Sequence, residues 1–427
     1  MKVHKAGALL AALALVATGC SRGGDGGEAA KAPGVTEEAC PEAVNEDNGC
    51  IYLGTISDLT QGPFAPLGVA ITDSQKAFWQ RVNDEGGIGG YDIDVTKYVK
   101  DNLYNPQTHS QVYSEIKGDV LALAQTLGSP TTLAILPALK SDEMIGAPAS
   151  WTSLWAFEDN ILESGANYCV EGMNNVDYAL EKDPDTKKIM AVHFPGDYGG
   201  DGAAGAKIAA EANGLDFSAV ETAPGQEEQA GAISAIVKQK PDMVLLGTSP
   251  TETAVIVGQA ASQGFEGQFI GLGPTWNPAL LESPAAEALE ALYLQSGYWG
   301  PYGTDTPAHE AMREALGEVK QPSDGYTAGW AWSYPLKAAL EAWVDGDFSK
   351  DRAGLLEAVK SLETVDYEGM LPDEAGNRTG DPGETIFRQT VISKVDKEAP
   401  SGVSIVEDFK AGKTATDHTF EGACFEG

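Results

Sequence analysis

From residue 51 onward, apolar positions along the chain alternate between two periods. Short apolar and β-branched runs at residues 51–59, 91–100 and 120–127 predict strands. Between them, residues 67–83 and 106–117 carry apolar positions three and four apart, which predicts helices. Ser129 is expected to cap a further helix, with Pro130 in its first turn, and residues 144–148 read as a short strand. After a helical stretch over 166–181 the alternation restarts. Strands at 187–194, 216–221, 243–247 and 268–272 interleave with helices at 202–213, 226–239 and 252–263. Such spacing implies right-handed crossovers and parallel sheets covered on both faces by helices. Two series of this kind predict an α/β chain of two doubly wound lobes, with the carboxyl ends of their strands facing a cleft. Trp330 and Trp332, in a helical stretch reaching Trp343, read as core.

The amino terminus follows another pattern. Lys2 and Lys5 precede a run of small apolar residues over 6–16 and then Ala17-Thr18-Gly19-Cys20, the layout of a secretory signal. The run is shorter than the roughly 20 apolar residues a membrane span needs. A cysteine directly after small residues resembles a bacterial lipobox. We therefore expect residues 1–19 to be removed and Cys20 to carry lipid that anchors the protein to the outer face of the cell membrane. Residues 20–50 would then be a flexible tether, Gly-rich and polar at its start.

Composition narrows the partners. The net charge of −35 leaves no basic stripe to meet phosphates, which argues against nucleic acid. Beyond Cys20 stand Cys40, Cys50, Cys169 and Cys424, an even number that in an oxidising compartment suggests two disulfides. Of the three connectivities, Cys40–Cys50, closing a short loop, and Cys169–Cys424, pinning the carboxyl terminus back, are the expected pair. Their spacings fit no zinc pattern, and no metal or cofactor is expected.

The segment 54–101 contains a strand, the loop Leu59-Thr60-Gln61-Gly62-Pro63-Phe64-Ala65, a helix, and Asn83-Asp84-Glu85-Gly86-Gly87-Ile88-Gly89-Gly90, where glycines end the helix. Together with Asp197-Tyr198-Gly199 and Lys240-Pro241-Asp242, it resembles the Leu/Ile/Val-binding-protein-like solute-binding proteins of ABC importers, the type I periplasmic binding proteins. The resemblance implies two lobes joined by a multi-strand hinge, one built from residues 51–167 and 296–384, the other from 168–295 and 385–427. It also implies a monomer without enzymatic activity. Such a protein closes on a small polar or amino-acid-like ligand and delivers it to a permease and its ATPase.

Site residues follow position by position. The helix start Gly128-Ser129-Pro130-Thr131-Thr132 offers N–H groups and hydroxyls, with Ser129 and Thr131 as ligand contacts. Ala149, Ser150 and Trp151 end the next strand, and Phe64 lies on the first loop. Where amino-acid binders of the family carry a small hydroxyl residue, this chain has Trp151, which would fill space or stack on a ligand. Tyr198 resembles the tyrosine presented by the second lobe. Glu252 is either a ligand for an ammonium group or simply an acid favoured in a first helical turn. Trp276, Trp299 and Tyr326 could add apolar walls.

Gly200-Asp201-Gly202-Ala203-Ala204-Gly205 matches the dinucleotide pattern literally, but the loop before it is too long for the tight turn that pattern needs. No nucleophile elbow, metalloprotease or phosphate-loop motif is present. Two rival readings stay open: a ligand-sensing ectodomain of the same fold, and an exported hydrolase.

Overall fold

The computed structural model describes residues 32–425. The expected signal, Cys20 and the first part of the tether lie outside the described residues. The first sheet contains β1 (Val35–Thr36), β2 (Gly49–Ser57), β3 (Tyr91–Asp101), β4 (Ala122–Leu127) and β5 (Gly146–Ala149). Four of these run parallel in the order β3-β2-β4-β5, and β1 pairs antiparallel with the start of β2. Strand β4 is buried along its whole length, as its continuous apolar run requires when helices cover both faces. Those helices are α1 (Ala65–Asp84), α2 (Pro106–Ile116) and α3 (Ser129–Ser141).

After α4 (Tyr168–Lys182) the chain builds a second sheet from β6 (Lys188–His193), β7 (Asp216–Glu221), β8 (Met243–Gly247), β9 (Gln268–Gly271), β10 (Tyr293–Gly297), β11 (Thr390–Val395) and β12 (Val403–Lys410). Its order is β12-β11-β10-β9-β8-β6-β7, parallel from β6 to β10 and antiparallel at β11 and β12. Crossovers run through α5 (Asp197–Ala212), α6 (Ala230–Gln239), α7 (Pro250–Ser262) and α8 (Ala286–Leu292). Between β10 and β11 come α9 (Pro307–Leu316), α10 (Asp324–Asp345) and α11 (Arg352–Ser361). Helix α10 returns to α1, where Phe78 meets the rings of Trp330 and Tyr334 edge-on at 5.1 and 5.0 Å.

Residues 32–50, expected to belong to a flexible tether, are instead packed on the first sheet. Ala32 and Cys40 are buried, and β1 lies on β2. The carboxylate of Asp92 holds the following loop, accepting hydrogen bonds from Val44 N–H, Asn45 N–H and the Asn45 and Asn48 amides at 2.8–2.9 Å. Both expected disulfides are present, Cys40–Cys50 and Cys169–Cys424.

The glycine run at 200–205 lies inside α5, which starts five residues before the predicted helix start at 202. There it serves helix packing. A Cβ at Gly205 would collide with the Cys169 carbonyl of α4, and one at Gly172 with the Gly202 carbonyl. This close approach of α4 and α5 accounts for the pattern without a dinucleotide.

Candidate functional site

In each parallel sheet the strand order reverses next to its first strand, at β2/β4 and at β6/β8, where a crevice opens at the carboxyl ends. The loop after β2 is shaped by Asp58, whose carboxylate accepts the N–H groups of Gly62 at 2.9 Å and Phe64 at 3.0 Å. Burial raises the Asp58 carboxyl above its ordinary range, and those two N–H groups oppose the rise. The result is Phe64 seated at the start of α1.

After β4 the backbone turns at Gly128, whose φ of 96° suits glycine. A side chain there would also lie 2.7 Å from the Tyr104 ring. Gly128 rather than Ser129 is the N-cap of α3. Ser129 is 1% exposed, yet its Oγ has no hydrogen-bond partner within the protein. Thr131 instead donates back to the Gly128 carbonyl at 2.9 Å, so it braces the turn. After β5 come Ala149, Ser150 and Trp151, with Ser150 Oγ accepting from Trp155 Nε1 at 3.1 Å.

From the second sheet, Tyr198 stands in the first turn of α5 and its Oη donates to the Thr248 carbonyl, beyond β8, at 3.0 Å. Burial pushes its hydroxyl pKa far upward, so it stays a proton donor. A small cavity is lined by Phe64, Ser129, Ala149, Ser150 and Trp151 from one side and Tyr198 from the other. Phe64 and Tyr198 meet edge-on at 5.9 Å, so the two walls touch.

Three of the expected site residues lie elsewhere. Glu252, in the first turn of α7, accepts the Gly225 N–H at 2.9 Å and bonds the Ser249 hydroxyl, and it does not line this cavity. Its carboxylate therefore serves the loop and helix start. Trp276 donates from Nε1 to the Ser401 carbonyl at 2.9 Å, stacks on Tyr293, and lines a neighbouring cavity. Thr131 is also absent from the lining.

Sequence reasoning missed Tyr104, Tyr168 and Pro274, while Trp332, read as core, is buried in the core and also lines the cavity. Tyr104 had a local signal: Asn102 Oδ1 accepts the Tyr104 N–H at 2.7 Å, an Asx turn that Asn in a loop favours. Pro274 and Trp332 come from distant segments and have no such signal. Among the described residues, Cys169, Asp201 and Cys424 lie close enough to suggest a metal. Both sulfurs are in the disulfide and Asp201 accepts from Ser153 and Cys169, so these residues do not suit an ion.

Residues 51–398 match the family model described as "Periplasmic binding protein". The Leu/Ile/Val-binding protein of Escherichia coli (strain K12) is 26% identical over 352 residues, covering 79% of this chain and 90% of that one. The fatty acid ABC transporter substrate-binding protein from Thermomonospora curvata is 31% identical, with a TM-score of 0.82 over 91% of this chain and 96% of that one. A branched chain amino acid ABC transporter protein from Thermus thermophilus with bound valine shares the fold at 15% identity, with a TM-score of 0.74 over 86% of this chain and 98% of that one. The chain belongs to the periplasmic binding protein family, among the solute-binding proteins similar to the Leu/Ile/Val-binding protein.

Proposed function

We propose that this protein is the extracytoplasmic solute-binding component of an ABC importer, anchored through lipid on Cys20, that captures a small carboxylic acid with an apolar body. The observation that carries this reading is a cavity closed from both sheets and walled by aromatic rings, with one buried hydroxyl, Ser129 Oγ, left to meet a ligand oxygen. Lobes of residues 51–167 with 296–384 and of 168–295 with 385–427 would close over the solute. Phe64, Ser129, Ala149, Ser150 and Trp151 act from the first and Tyr198 from the second. Closure is a population shift toward the state in which the solute touches both sides. The closed form then meets the permease and its ATPase.

Two features turn the expected amino-acid-like ligand into an acid without an ammonium group. Glu252 is already satisfied by Gly225 and Ser249, which leaves no carboxylate in the cavity for an ammonium ion. Trp151 is stacked between Tyr298 and Trp332 at 4.5 and 4.4 Å, so apolar surface occupies the space near the second hydroxyl position. The fatty acid relative from Thermomonospora curvata supports the same direction. A thermal-shift panel tests it, because a ligand that binds only the folded state raises the melting temperature. Octanoate and related apolar acids should raise it, and leucine, isoleucine and valine should not. A shift with the amino acids alone would overturn the ligand class.

A further inference from the structure

Trp151 does more than wall one cavity. On its far side lies a second cavity, and the two share Leu67, Trp151 and Pro274 as common lining. Neither cavity is roomy as it stands, with free space for only a few water-sized groups, so an extended occupant has to displace a shared wall. The geometry points to one elongated site in which Trp151 is a movable partition. Its occupant would be the tail of a straight-chain carboxylic acid, an inference that rests on the ligand class proposed above.

The Trp151 side chain is held by ring contacts, stacked on Tyr298 and Trp332 and touching Tyr168 and Trp299, with no side-chain hydrogen bond. Its indole lies between Tyr298 and Trp332, with interplanar angles of 23° and 28°, and Nε1 has no hydrogen-bond partner within the protein although the residue is only 5% exposed. No directional bond is lost when the ring turns, and a stacked alkyl chain would replace ring contacts with similar ones.

The second cavity suits a tail rather than a head. Trp276, Trp299, Pro301 and Val391 give it apolar walls. Two of its polar groups are already engaged, Gln295 Nε2 with the Gly273 carbonyl at 3.0 Å and Ser296 Oγ with the Gly271 carbonyl at 2.9 Å. Its one acid, Asp324, accepts the Tyr302 N–H at 2.9 Å and would repel a second carboxylate. The acid end therefore stays near Ser129 and the chain runs past Trp151.

Gly297 lines only the second cavity, and a Cβ there would meet Trp299 O and Val391 Cγ2 at 3.5 and 3.6 Å, ordinary contacts. Gly297→Leu thus fills that cavity without forcing the backbone.

Calorimetric titration of the full chain with hexanoate, octanoate, dodecanoate and hexadecanoate tests the inference. Affinity should keep rising beyond octanoate by up to about fourfold per methylene, the fold-change equivalent of ~0.8 kcal/mol per buried methylene. Gly297→Leu should cut dodecanoate and hexadecanoate affinity at least about tenfold and leave octanoate within about twofold, since only the tail is displaced. Octanoate binding with no further gain from longer chains would overturn the two-cavity site and leave the proposed ligand class standing. Failure of every acid to bind would overturn both. The chain-length series needs no variant, so it decides the question even if Gly297→Leu does not fold.

Discussion

Ser129 and Tyr198 show how single residues divide the work at the cavity. Ser129 Oγ is buried and makes no bond to the protein, so removing it should cost the fold little. Its bond to a bound carboxylate would carry the strength of a charge-assisted hydrogen bond, about 1.5–3 kcal/mol. Ser129→Ala should therefore weaken octanoate binding by about tenfold to a hundredfold by calorimetry, with a melting temperature close to that of the parent. A large loss of melting temperature with unchanged affinity would assign Ser129 to structure instead. Tyr198 is different: its hydroxyl bonds the Thr248 carbonyl and its ring meets Phe64 and Tyr168. Tyr198→Phe should keep most of the affinity through ring contact, and Tyr198→Ala should lose at least about tenfold. Equal affinities for the two variants would contradict a closing role for the ring.

At the scale of elements, α4 links the two parts of the site. Tyr168 at its start lines the cavity, and Glu171, one turn on, binds the Gly273 N–H at 2.8 Å together with the Ser296 and Tyr298 hydroxyls. Burial pushes the Glu171 carboxyl up to about 8, from an ordinary 4.5. A folded value above the unfolded one means that the native state keeps a proton the unfolded chain sheds. This stabilisation is complete below the unfolded value and is lost as pH rises through the folded one, at up to ~1.4 kcal/mol per pH unit. Melting temperatures recorded between those two values should fall with pH in the parent and fall less steeply in Glu171→Gln. Identical slopes would contradict a protonated Glu171. The glycines that let α4 meet α5 give a second expectation. Gly205→Ala drives a Cβ against the Cys169 carbonyl and should cost ~1–3 kcal/mol by denaturant titration.

Elements were also the scale at which the sequence was most legible. Periodicity located β2, α1, β3 and the β6–β9 series, because buried parallel strands and amphipathic helices write their burial directly into apolar spacing. The family resemblance, rather than periodicity, singled out Phe64, Ser129, Ser150, Trp151 and Tyr198, and these residues line one cavity. It could not tell that the Ser129 hydroxyl would be left free of its helix, since Gly128 takes the cap through a backbone angle that composition does not record. Nor could it separate Glu252 as a loop brace from Glu252 as a ligand. That choice depends on Gly225, 27 residues away. Trp332 and Tyr298 reach the site only through the return of the chain along α10 and β10, and long-range packing of this kind leaves no local pattern.

The whole molecule is closed on itself by covalent bonds as well as packing. Cys169–Cys424 joins α4 to the chain end across 255 residues, and such a long loop restricts the unfolded state strongly. Cys424→Ser should lower stability by ~2–4 kcal/mol in denaturant titration, and an unchanged midpoint would leave the bond without a stabilising role. On the same scale, capture requires a solute held by both sheets at once. A crystal structure of the protein grown with dodecanoate tests this most directly. The account predicts the carboxylate within hydrogen-bond reach of Ser129 Oγ, ring contact with both Phe64 and Tyr198, and the alkyl chain directed toward Trp151. Dodecanoate resting against one sheet only, or bound away from the β2/β4 and β6/β8 strand ends, would contradict it.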